Sequence, residues 1–268
     1  MSNSVLGILV LVFLLLVAGF CSEAYAGSID SPIAHWTFDE ASGTTAYDSA
    51  GSNNGTLVNG VARVAGKIGG ALNFDGTNDY VNVLYNSVFQ LPVLTMTAWI
   101  RPSTDLSVSG GGIVGRGEDS TTDHSAFGMG VRTAASEWGH GVGVGYETNS
   151  DADYTYSTNY YPQTSQWTHI AASRDSSGKI SIYANGNLIG QFNSTPTPTS
   201  ECYQDLTIGA NIDNNYGVRN YVGFFNGLID DVRIYDYALS GQEVALLVPE
   251  PLTIALLGLG GLMMRKRK

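Results

Sequence analysis

Cysteine is almost missing from this 268-residue chain, which carries only Cys21 and Cys202. Cys21 falls in a leader segment described below, so the mature protein keeps one thiol and closes no internal disulfide. Cys202, with no motif-placed histidine beside it, reads as a small apolar packing residue rather than a nucleophile. Basic residues are also scarce: 13 Lys and Arg stand against 24 Asp and Glu, a net charge of −11. A partner such as nucleic acid or an anionic membrane needs a basic footprint, and residues 27–247 carry none. Catalytic signatures are lacking too. There is no Glu-x-Asp-x-x-Glu run, no nucleophile elbow, no His-Glu-x-x-His helix and no phosphate-cradling glycine loop. The four histidines are scattered and make no metal triad. Asp151-Ala-Asp153 has the two-residue spacing that puts two acids on one strand face, but it sits in a polar stretch that reads as a solvated loop. The expectation is a protein that is not an enzyme.

Both ends are apolar. Residues Val5 to Phe20 form an apolar run closed by Ala24-Tyr25-Ala26, an A-x-A cleavage site. Residues 1–26 are therefore expected to be a helical secretory signal, although no Lys or Arg precedes Val5, and the mature chain is expected to start at Gly27. At the other end, residues 248–268 read Val-Pro-Glu-Pro, then 13 apolar or small residues from Leu252 to Met264, then Arg265, Lys266, Arg267 and Lys268. As a helix that apolar stretch would reach about 20 Å, short of the ~30 Å hydrocarbon core, so it is a marginal span with cations at its cytoplasmic end.

This tripartite tail resembles the Pro-Glu-Pro C-terminal sorting signal (PEP-CTERM) of exported Gram-negative proteins. The resemblance implies recognition of Pro249, Glu250 and Pro251 by an exosortase-type processing enzyme at the inner membrane. It also implies a final location in the envelope, at the surface or in the extracellular matrix.

Between the ends, residues 27–247 hold 22 acidic and 9 basic residues, a charge of −13 masked by the terminal cations. Turn-forming Gly, Asn, Ser and Thr recur every eight to twelve residues between short runs rich in Tyr, Val, Ile and Thr, which predicts strands throughout. Asn185-Gly186 predicts a two-residue hairpin, with Ile180 and Ile182 on one face and Ser181 and Tyr183 on the other. Thr95–Ile100 and Leu228–Tyr235 read as further strands, the first stopped at Arg101-Pro102. Ser240 with Glu243 predicts a capping box opening a single helical turn. The glycines at 110–112 and 139–145 read as strand edges and bulges.

Five ordered segments resemble the laminin-G-like or pentraxin-like jelly roll of the concanavalin A-like superfamily. They are Ala34–Asp39, Gly69–Gly76 with Asp79–Val81, Leu94–Trp99, Trp167–Arg174 leading into Tyr183–Gly186, and Gly227–Tyr235 with Ala238–Ser240. The resemblance implies an all-β fold of two antiparallel sheets in a jelly-roll sandwich, flanked by a signal helix and a short C-terminal apolar helix.

Calcium is the candidate cofactor, because loops rich in Asp and Asn supply the oxygen ligands it needs. By resemblance to pentraxins, the loop with Asp119 and Asp123 and the loop with Asn211 and Asp213 would meet at one sheet edge. A second place would gather Asp39, Asp75 and Asp230 or Asp231. Adjacent Asp230 and Asp231 point to opposite faces unless a bulge intervenes. Carbohydrate is the leading ligand class: Trp138, Tyr146, Tyr154, Tyr156, Tyr160 and Tyr161 crowd one polar segment, where rings could cover a sugar's apolar face. The expected function is an exported, non-catalytic binding module. The alternatives are a structural or adhesive matrix protein, in which the rings only pack, and a degenerate glycoside hydrolase.

Overall fold

The computed structural model describes residues 29–116, 127–136, 140–147, 153–194, 203–213 and 220–248. The expected signal segment, residues 249–268 of the expected sorting tail and both expected terminal helices lie outside these residues. Among the described residues no helix is long and apolar enough to cross a membrane. The chain divides into Met1–Asp30 and Ser31–Lys268, and the second unit carries the β-body.

The strands, in chain order, are β1 (Ala34–Trp36), β2 (Thr45–Ala46), β3 (Gly55–Val58), β4 (Ala62–Ala65), β5 (Gly70–Asp75) and β6 (Tyr80–Val83). Then come β7 (Leu94–Pro102), β8 (Gly111–Arg116), β9 (Phe127–Arg132), β10 (Gly141–Glu147), β11 (Asp153–Ser157) and β12 (Thr168–Arg174). The last six are β13 (Lys179–Ala184), β14 (Asn187–Asn193), β15 (Leu206–Ile208), β16 (Asn211–Asp213), β17 (Asn220–Val222) and β18 (Asn226–Tyr235). One sheet runs β14-β13-β12-β7-β18-β5-β4, with β1 also paired to β18; the second runs β11-β10-β9-β8-β15-β6-β3-β2. β16 and β17 form a separate ribbon. All pairings are antiparallel, as a two-sheet sandwich requires.

Alternation builds the core. Met96, Ala98 and Ile100 of β7, Ile170 and Ala172 of β12, Ile180 and Ile182 of β13, and Val232 and Ile234 of β18 point inward from the first sheet. Val81 and Val83 of β6, Met129 and Val131 of β9, and Leu206 and Ile208 of β15 answer from the second. The Asn185-Gly186 turn has φ of 48° and 77°, the positive values that match the twist of the paired strands. The Ser240–Glu243 capping box is formed and opens a helix over Gly241–Leu246. β7 differs from expectation by continuing through Arg101 to Pro102, which pairs with Gly227.

The glycines fall in part as expected, with a bulge between Gly112 and Val114 of β8. They occupy interior strands in register: Gly115 opposes Gly128, Gly128 opposes Gly145, and Gly130 lies between Gly112 and Gly143. Part of the reason is the β16–β17 ribbon, which packs against β8. A Cβ on Gly112 would collide with Asn211 Oδ1, and one on Gly111 would come within 2.9 Å of Phe225 Cα. Tyr221 of β17 stacks on Tyr80 of β6 at 4.1 Å, fixing the ribbon to the sheet.

Two ends of the sandwich can be told apart by β7. At its Leu94 end, Tyr235 pairs with Thr95, and Ile33 N donates to Ile234 O. From there the chain crosses the first sheet's outer face. Leu239 N donates to Thr95 Oγ1, Gly241 lies near Tyr183, and Ala245 approaches Gly186 beside the hairpin turn at the Pro102 end.

Candidate functional site

At the Leu94 end, β6 runs out into Leu84 and Tyr85, and β15 is entered through Tyr203, Gln204 and Asp205. Because Val83 pairs with Leu206, these two strand ends lie side by side. Tyr85 and Tyr203 meet with ring centroids 5.6 Å apart and planes tilted by 55°. They remain 37% and 57% exposed. Asp205 fixes the corner: Oδ1 accepts from Tyr85 N at 2.8 Å, and Oδ2 accepts from Asn82 Nδ2 at 3.0 Å. Asn82 Oδ1 has no hydrogen-bond partner. Beneath Tyr85 lies the buried guanidinium of Arg116, 5.5 Å from the ring centroid and held by donation to Phe89 O. Sequence reasoning missed Tyr85 and Tyr203; the available signal was a bulky ring just outside the alternating part of each strand.

The expected tyrosine segment covers β10, β11 and the loop that follows. β11 is an edge strand, so Tyr154 and Tyr156 are two apart along it, and Tyr146 pairs in register with Tyr154. Tyr156, Tyr160 and Tyr161 are part-buried against the hydrophobic core, with the Tyr156 ring 5.5 Å from Phe192. Trp138 lies outside the described residues.

Of the expected calcium ligands, Asp119 and Asp123 lie outside the described residues, while Asn211 and Asp213 belong to β16. Asn211 sits over Gly112 near the start of β8. The second expected place is not assembled. Asp39 accepts from Gly70 N, Asp75 from Thr77 and Asn78 N, and Asp230 from Lys67 and Ile68 N. Among the described residues no three acids, histidines or cysteines group so as to hold a metal.

A bulge does separate Asp230 from Asp231, which takes φ of 51°. It frees Asp231 to bond His35 Nε2 at 2.6 Å and Arg233 Nη2 at 3.0 Å, tying β1 to β18. Burial raises the Asp231 carboxyl, but the His35 bond and Arg233 charge outweigh it and hold the group below the usual range. On the same outer face His169, Trp99 and Asp230 form one cross-strand row, all buried. Burial pushes Asp230 up to about 6 and His169 down to about 4. These groups brace the sheet; they do not line an open cleft.

The family model for the concanavalin A-like lectin/glucanases superfamily matches residues 75–245. The chain belongs to this superfamily. No curated protein sequence matches it. Among solved structures carrying the superfamily fold, it is similar to domain 4 of AbnA, a GH43 extracellular arabinanase from Geobacillus stearothermophilus, in complex with arabinotriose. That match has 22% identity, covers 82% of this chain and 98% of that one, and has a TM-score of 0.64. The binding domain of Paraclostridial Mosquitocidal Protein 1 matches at 15% identity, over 82% of this chain and 52% of that chain, with a TM-score of 0.58. The binding domain of botulinum neurotoxin serotype D/C matches with the same identity, coverage and score. The chain therefore spans about half the length of these toxin domains, and at such identities the likeness is one of fold.

Proposed function

We propose that the protein is an exported, non-catalytic module that binds carbohydrate in the cell envelope, at the surface or in the extracellular matrix. The observation that carries this reading is an open aromatic surface on a well-filled superfamily sandwich, with rings left in solvent beside a carboxylate and an amide. Rings of this kind cover a sugar's apolar face while acids and amides meet its hydroxyls. The likeness to a domain solved with arabinotriose, and to binding domains of toxins, supports it. On this reading an exosortase-type enzyme processes the tail at Pro249-Glu250-Pro251, and calcium at Asp119, Asp123, Asn211 and Asp213 is the accompanying cofactor. Panels of soluble and immobilised glycans test it: retention on at least one neutral polysaccharide without product release is expected. Failure to bind any, or hydrolysis lost in Asp151→Asn, would remove the reading. A second reading, adhesion by protein contacts, draws on exposed Leu188 of the edge strand β14 and Leu246 of the nearby helix.

A further inference from the structure

We propose that the ligand site of this module is the corner formed by Tyr85, Tyr203, Asp205 and Asn82, and that its ligand is an uncharged glycan. The assignment rests on the carbohydrate reading above and moves the site away from the tyrosines of β11 and its following loop. Four observations place it here. First, Tyr85 and Tyr203 touch each other and still leave much of their surface to solvent, whereas Tyr156, Tyr160 and Tyr161 spend theirs on the core. Second, the corner is stiff before any ligand arrives. Asp205 locks the Tyr85 backbone and the Asn82 amide, and Arg116 supports the Tyr85 ring from below, so little side-chain freedom is left to lose on binding. Third, the half-buried Asp205 carboxylate at the corner is an acceptor of the kind that sugar hydroxyls donate to. Fourth, exposed Leu84 and Val88 extend the apolar surface beyond the rings, giving room for more than one sugar unit.

The charge of the ligand follows from its surroundings. The mature segment carries −13, and the corner's own cation, Arg116, is buried beneath a ring and engaged with Phe89 O. A uronate or sialate would approach against that field with no exposed guanidinium at the corner among the described residues to meet it, so a neutral chain is selected.

Titration calorimetry with arabinotriose and with cello-, xylo- and mannohexaose, alongside polygalacturonate, tests both parts. The protein is expected to bind at least one neutral oligosaccharide and to ignore polygalacturonate. Tyr203→Ala and Tyr85→Ala should each weaken binding by about tenfold or more, and Asp205→Asn should weaken it too. Because Tyr203 is largely exposed, its variant should melt with the parent, which separates lost contact from lost fold. Undiminished binding in both tyrosine variants, with loss in Tyr154→Ala, would overturn the site while leaving the carbohydrate reading standing. Preference for polygalacturonate would overturn the neutral assignment. Failure to bind any of these sugars and any glycan of the wider panels would remove site and function together.

Discussion

His169 and Asp230 flank Trp99 in one row, and their proton affinities are displaced in opposite directions. Burial keeps His169 neutral down to about pH 4, with Asp231 nearby raising it and Arg233 lowering it. Burial also keeps Asp230 protonated up to about 6, against the two backbone N–H bonds to its other oxygen. Between pH 4 and 6 the folded chain holds a proton on Asp230 that the unfolded chain gives up, so this group makes stability fall as pH rises. His169 does the reverse: below about 6.5 the unfolded chain takes up a proton that the folded chain refuses, so stability rises with pH. In the parent the two trends oppose. His169→Gln should unmask a stability that declines from pH 4 to 6, and Asp230→Asn one that climbs over the same range. Urea midpoints at intervals across that range check this; identical pH profiles for parent and both variants would refute it. His35, Asp231, Arg233 and Lys67 surround the row and are unchanged in both variants.

At the scale of elements, what was legible had local chemistry. Asn185-Gly186 and Ser240 to Glu243 each specify a backbone geometry within four residues, and both formed. Ser240→Ala removes the oxygen that accepts from Glu243 N and should cost about 1 kcal/mol in thermal or urea unfolding. The alternating runs of β7, β13 and β18 likewise announced their buried faces. The glycines of β8 and β10 were legible as the bulge after Gly112 but not as interior pairs, because a glycine's purpose depends on what crosses above it, and that neighbour is far away in sequence. Gly112 makes way for Asn211, 99 positions later. A side chain at Gly112 should lift the β16–β17 ribbon: Gly112→Val is expected to lower the melting temperature and expose Tyr221 to solvent quenchers. The tyrosine corner was hidden for the same reason, since β6 and β15 become neighbours only through sheet pairing.

For the whole molecule, the fold class was readable because five ordered segments resemble those of the jelly-roll family, and the superfamily match over 75–245 agrees. Calcium stands apart, since its expected ligands are split between residues outside the described structure and the ribbon. Millimolar calcium is expected to raise the melting temperature, reversibly with chelator, and to have no effect on Asp213→Ala. No shift in the parent would end the proposal.

The path after β18 has one consequence for how the protein meets its surroundings. From Tyr235 the chain doubles back over the outer sheet face and reaches Val248 beside Gly186, while Tyr85 and Tyr203 stand at the far tip, roughly 25 Å away along the nine residues of β7. A molecule tethered by its last residues would thus hold its aromatic fingertips outward at full reach, and one tethered near Ile33 would turn them back toward its support.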